Sequence, residues 1–192
     1  MVDMTQELIQ KNLKEFTKHL DLETIHKIIN INNPVTISKG RLIVADGEAC
    51  FLLSGIFRGF YLDKDGNDIT HHFIFESHSY GSDFLTTEKP QICSYEALED
   101  CIVLPVNIKE IKRIIHTNNK LLWMYVNMLE EAMKQKIVRE MSFVTQTATE
   151  RYLDLLKLYP EIEQRVSQIH IASYLGITPV SLSRIRRLIR EV

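Results

Sequence analysis

Five arginines, Arg165, Arg184, Arg186, Arg187 and Arg190, lie between Arg165 and Val192, with Glu191 as the one acid and no lysine. The segment carries +4 while the whole chain carries −2, which leaves −6 for residues 1–164. A guanidinium can neutralise a phosphate, or grip guanine O6 and N7 as a two-pronged fork. A basic segment on an acidic body is the charge asymmetry of a regulatory domain with a nucleic-acid-binding module attached. A solvated basic helix face has the same composition, so spacing has to decide between the two.

The spacing over QIHIASYLGITPVSLSRIRR (Gln168 to Arg187) predicts a helix-turn-helix. Two short helices that cross steeply need a small residue at the crossing, a left-handed residue at the turn and an apolar inner face on the second helix. Ala172 is the small residue, between the inner residues Ile171 and Leu175, and Gly176 stands at the turn. Thr178 can cap the second helix and Pro179 can open it, where a missing N–H costs nothing. Leu182 and Ile185 turn that helix inward. Pro179, Val180, Ser183, Arg184 and Arg187 are then expected on the exposed face. Arg184 is the candidate for reading a base, and Thr178, Ser181 and Arg187 suit phosphates. Pro179 and Val180 can offer only apolar contact, for example to a thymine methyl. Arg186 and Arg190 add backbone charge or are simply solvated.

Other chemistries find little support. There is no nucleophile elbow, P-loop, GxGxxG or zinc spacing, so no catalytic or metal-binding residues are assigned and no enzyme activity is expected. His71 and His72 are adjacent on a predicted strand and are expected to point to opposite faces, a poor arrangement for one ion. Three cysteines (Cys50, Cys93, Cys101), none in a CxxC pair, suit a reducing cytoplasm. No apolar run is long enough to cross a bilayer, and MVDMTQELIQ is not a signal peptide, so no membrane partner is expected.

The elements that would carry this module fall into three stretches. Residues 5–30 have helical spacing, with two helices meeting near Leu20–Asp21. From Val35 to Pro105, short β-branched and aromatic runs alternate with turns, as in a β-barrel or jelly roll. The plainest hairpin is FRGFYLDKDGNDITHHFIF, built on Asp65–Gly66. A short helix over 107–115 precedes a long one over roughly 118–141. On the long helix Leu122, Val126, Leu129, Met133 and Ile137 form a stripe that can pack on the barrel or on a second copy of the chain. Thr149 is the expected cap of the next helix, with Tyr152, Leu153, Leu155, Leu156 and Leu158 on or near its buried side.

This order of parts resembles the Crp–Fnr family of bacterial regulators over nearly the whole chain. TERYLDLLKLYPEI and IASYLGITPVSLSRIRR look like its Bacteroidetes-type branch. The resemblance implies an α+β architecture in three parts. These are a cyclic-nucleotide-binding-like β-roll with N-terminal helices (1–117), a dimerisation helix and hinge (118–146), and a helix-turn-helix domain (147–192). It implies a homodimer, double-stranded DNA with a roughly palindromic site as partner, and room for a small-molecule effector and RNA polymerase. Arg184 matches a base-reading arginine of the family, whereas Pro179 and Val180 replace its other base readers. The ligand pocket departs from the family's phosphate-binding cassette. Within YGSDFLTTEKPQICSYEAL, Gly81 matches, Ser82 stands at the ribose-binding Glu position with Asp83 one place off, and Ile92, followed by Cys93, stands at the phosphate-binding Arg position. A cyclic phosphate opposite isoleucine would be buried uncompensated. No cofactor is therefore assigned and no tight cyclic-AMP binding is expected; micromolar affinity by calorimetry would overturn that alignment. The alternative function is a small-molecule sensor whose C-terminal helices act mainly as a protein-interaction module.

Overall fold

The computed structural model describes residues 2–43, 49–81 and 93–190. Two helices open the chain, α1 (Val2–His19) and α2 (Leu22–Ile28). They part at Asp21, whose carboxylate accepts the Thr24 amide at 2.8 Å and caps α2. The strands described are β1 (Val35–Ile37), β2 (Leu42–Ile43), β3 (Ala49–Ser54), β4 (Phe57–Leu62), β5 (Asp68–Ile74), β6 (Ser79–Tyr80), β7 (Ser94–Ala97) and β8 (Cys101–Val106). They form two antiparallel sheets, ordered β1-β8-β3-β6 and β2-β7-β4-β5. Between the sheets lie Leu52, Tyr80 and Val103 from one and Phe57, Ile74 and Tyr95 from the other.

Strand β3 is buried on both faces, which is why its sequence, ACFLLS, is almost continuously apolar. Cys50 and Leu52 face the other sheet, while Phe51 and Leu53 meet the N-terminal helices. The predicted hairpin is β4–β5. Asp63 Oδ1 accepts the amides of Asp65 and Asn67 at 2.8 and 2.9 Å, and Gly66 takes the positive φ the turn requires.

His71 and His72 do not take the opposite faces that strict alternation predicts. Gly59 pairs with His72 and Phe60 with Thr70, so His71 is the extra residue of a β-bulge and strict alternation fails. The two Nδ1 atoms come within 2.8 Å, so one ring donates to the other. The His72 ring lies over Gly59, where an added Cβ would sit 2.4 Å from Cε1 and 2.9 Å from Cys93 Sγ. Burial foremost, then the neighbouring His71, lowers the His72 pKa to about 4 from its ordinary 6.5. The unfolded chain therefore binds a proton there at a higher pH than the folded one. His72 by itself should lower stability by roughly 3 kcal/mol at most as pH drops from 6.5 to about 4. Urea midpoints measured across that range should shift less in His72→Phe than in the wild type.

Beyond the sheets come α3 (Ile108–Ile114), capped by Asn107, and α4 (Asn119–Thr145), capped by Asn118. Helix α4 runs 27 residues, past its predicted end at Met141. The stripe on it divides. Leu122 packs against the cluster formed by α1, α2 and α3, while Leu129, Met133 and Ile137 face outward. The remaining helices are α5 (Ala148–Leu158), α6 (Ile162–Arg165), α7 (Gln168–Leu175) and α8 (Pro179–Arg190). Thr147, not Thr149, caps α5: it forms a capping box with Glu150, each side chain binding the other's backbone N–H. That phase buries Tyr152 and Leu155 and leaves Leu153 and Leu158 exposed. Among the described residues, no helix is long and apolar enough to cross a membrane.

Candidate nucleic-acid interface

The helix-turn-helix is α7 and α8. Ser167 caps α7 and accepts the His170 amide at 3.4 Å. Gly176 ends it in the left-handed conformation, φ 69°. The Ile177 amide returns to the Ala172 carbonyl at 3.0 Å, closing the turn. Thr178 then caps α8, its Oγ1 accepting the Ser181 amide at 3.1 Å, and Pro179 is the first helical residue. Ile171, Ala172, Leu175 and Leu182 are buried together, with Ile185 half-buried beside them. Ala172 is fully enclosed, as the crossing requires.

With that face inward, Pro179, Val180, Ser183, Arg184 and Arg187 are exposed, as the spacing predicts. Neither Arg184 nor Arg187 forms an ion pair with a described residue. Thr178 and Ser181 are less free, because their hydroxyls bind one another at 2.9 Å. One of the pair can still donate outward.

The other arginines sort differently from what charge alone suggested. Arg186 is half-buried and tied down rather than freely solvated. Its Nε lies 2.7 Å from Glu163 Oε1, an ion pair without hydrogen-bond alignment. Glu163 also accepts the Tyr152 hydroxyl; burial, then Glu163, pushes that phenol up to about 12. Arg165 is turned to the carboxylates of the sandwich instead. It donates to Glu99 at 2.8 and 3.0 Å and to Glu76 at 2.7 Å, and these bonds raise its pKa further. The basic surface is thus Arg184, Arg187 and Arg190. Gln168, which spacing did not single out, joins Ser183, Arg186, Arg187 and Arg190 around a cleft of about 330 Å³. Its position at the start of α7, one residue after the cap, was the available signal.

The module rests on the β4–β5 sheet. The Ser173 hydroxyl accepts the Thr70 amide at 2.9 Å, the Phe75 and Tyr159 rings stack at 4.4 Å, and Phe73 meets Tyr174 at 5.2 Å. Ile56, Phe73 and Leu98 of the sandwich share one buried cluster with the helix-turn-helix core. Of the expected pocket residues, Gly81 and Cys93 are buried at the ends of β6 and β7, while Ser82, Asp83 and Ile92 lie outside the described residues. Among the described residues no group of three or more His, Cys, Asp or Glu could hold a metal.

No family profile matches the chain, and no curated protein matches it. Solved structures do. The regulator CLP of Xanthomonas campestris, described as c-di-GMP responsive, superposes with a TM-score of 0.70 at 12% identity, covering 89% of this chain and 92% of that one. FixK2 of Bradyrhizobium japonicum gives 0.69 at 17% identity, over 83% and 84%. A regulator from Eubacterium rectale, assigned to the crp/fnr family, gives 0.69 at 17%, over 89% and 84%. The chain has the fold of Crp/Fnr transcription regulators, a cyclic-nucleotide-binding-like domain joined to a helix-turn-helix domain. The likeness bears on that fold and not on any branch of the family.

Proposed function

We propose that the chain is a homodimeric DNA-binding transcription regulator of the Crp–Fnr type, acting in the cytoplasm without response to cyclic AMP, and is not an enzyme. The observation that carries this is the outer face of α8: Arg184 and Arg187 project, without an ion pair to any described residue, from a helix whose opposite face is locked into the core. Double-stranded DNA supplies what these groups lack, guanine edges for Arg184 and phosphates for Arg187, Arg190 and the one hydroxyl of the Thr178–Ser181 pair that donates outward. Val180 adds an apolar surface in the same groove. Leu129, Met133 and Ile137, uncovered in one chain, are the seam for a second copy, and α4 is long enough to align two modules on a palindrome. The residues at the cassette positions, Ser82 and Ile92, support the lack of cyclic-AMP response. RNA polymerase would be met at the promoter, and an effector of other chemistry would enter through the sandwich.

The test is a salt-titrated gel shift on DNA selected in vitro from genomic fragments. Arg184→Ala should cost roughly 1–3 kcal/mol on the selected site and relax one base position. Arg187→Ala should weaken all sequences alike and lower the salt slope by about one. No sequence-specific binding by the wild type at any salt would sink the proposal.

A further inference from the structure

Where α4 ends, it grips the helix-turn-helix at its turn. Arg139 Nη2 donates to the Tyr174 carbonyl at 3.0 Å, and its guanidinium lies 4.1 Å over the Tyr174 ring and 5.0 Å from the Phe143 ring. Arg151, from α5, lies 4.8 Å from the same Phe143 ring. It donates to the carbonyls of Gln146 at 2.8 Å and Leu175 at 3.1 Å. Phe143 thus has a guanidinium from each of two helices on its ring. Gly176 packs against its edge so closely that an added Cβ would sit 2.8 Å from Cε1.

These bonds do more than finish a helix. The Gly176 and Ile177 amides already return to the Ser173 and Ala172 carbonyls at 3.1 and 3.0 Å, the local closure a helix end needs. The Tyr174 and Leu175 carbonyls are the ones left over, and each is taken by an arginine from outside α7. Cationic donors are favoured there by the helix dipole as well as by the unmet carbonyls. Gly176 and Pro179 are three residues apart, so little slack separates the grip from the reading helix. On the other side, Arg139 is two residues beyond Ile137, on the same unbroken helix as the exposed stripe.

We infer that Arg139 and Phe143 are positioning residues that fix the angle between α4 and α8, and so set the half-site spacing the protein accepts; this rests on the dimeric DNA-binding function proposed above. Half-sites lie about one DNA turn apart, and two recognition helices must match that distance together. Helix α8 has 12 residues, so it is about 18 Å long, and swinging it by about ten degrees moves its far end by about 3 Å, close to one base-pair step. A loosened grip therefore spoils simultaneous engagement without touching a single base contact.

The experiment takes the half-site chosen by the wild type and builds palindromes with the spacer varied one base pair at a time. Binding is measured for the wild type, Arg139→Gln and Phe143→Ala, with far-UV circular dichroism as the check on folding. At the preferred spacing the variants should lose about a hundredfold in affinity, the avidity of the second site. On an isolated half-site they should stay within about twofold, and their spacing preference should flatten. If Phe143→Ala unfolds, Arg139→Gln carries the test alone, since it keeps the ring packed under Gly176. Variants that retain the wild-type spacing preference, or lose equally on half-site and palindrome, overturn the inference alone. A wild-type chain that binds no DNA overturns the functional proposal, and the positioning role falls with it.

Discussion

A chain carrying Met133→Glu and Ile137→Glu should sediment as a monomer and lose about a hundred- to ten-thousand-fold of affinity for a palindromic site. Met133 is 58% exposed and Ile137 48%, and with Leu129 and Val138 they line one apolar face of α4. Glu130 and Lys134 border that face, a polar rim around an apolar centre. In a two-fold seam each residue near the axis meets its own copy, so introduced carboxylates would face one another. Burying them unpaired is costly, whereas in the monomer they stand in water. Folding should therefore be nearly unaffected, by about 0.5 kcal/mol or less, since these positions meet little of their own chain. Sedimentation and a palindrome-against-half-site binding comparison check the two halves of the expectation. A double variant that stays dimeric would place the seam elsewhere.

How far the sequence could be read followed the range of the forces involved. Every constraint of the helix-turn-helix is local: Ala172, Gly176, Thr178, Pro179 and Leu182 fall within eleven residues, and each acts through helix geometry or a cap. The β4–β5 hairpin was legible for the same reason, since Asp63 and Gly66 build the turn by themselves. The cap of α5 was equally local and was misplaced by two residues, although Thr147 and Glu150 carry the capping-box spacing in plain view. The bulge at His71 was not legible, because it depends on how β4 pairs with β5 rather than on either strand's pattern. Nor was the fate of the arginines. Arg165 is bound to carboxylates 66 and 89 residues away, and nothing near it in sequence marks it off from Arg184. Composition counted five arginines in the C-terminal segment; tertiary pairing ties Arg165 to the sandwich and holds Arg186 against Glu163.

That same tertiary pairing makes the helix-turn-helix a poor candidate for independent unfolding. Leu182→Ala should cost about 2–5 kcal/mol, the transfer of its lost atoms plus the cavity left in a site that cannot collapse. Leu182 is 0% exposed, held by Ile171, Ala172 and Leu175 within a cluster that runs on to Ile56, Phe73 and Leu98 of the sandwich. Because that core is continuous, the loss should appear as one cooperative transition at lower urea, seen alike by far-UV circular dichroism and by the near-UV signal of tyrosines buried between the sheets. Val180→Ala, two residues earlier on the same helix, is the control. Val180 is 62% exposed, so stability should move by about 0.5 kcal/mol or less, while DNA affinity falls. The pair separates the two faces of α8, one packed into the core shared with the sandwich and the other proposed to meet DNA. Two separate midpoints in Leu182→Ala, with the sandwich unchanged, would show instead that the Arg165, Ser173 and Phe75 contacts merely dock two independent units. An effector that acts through the sandwich would then need a different route to α8 than the shared core.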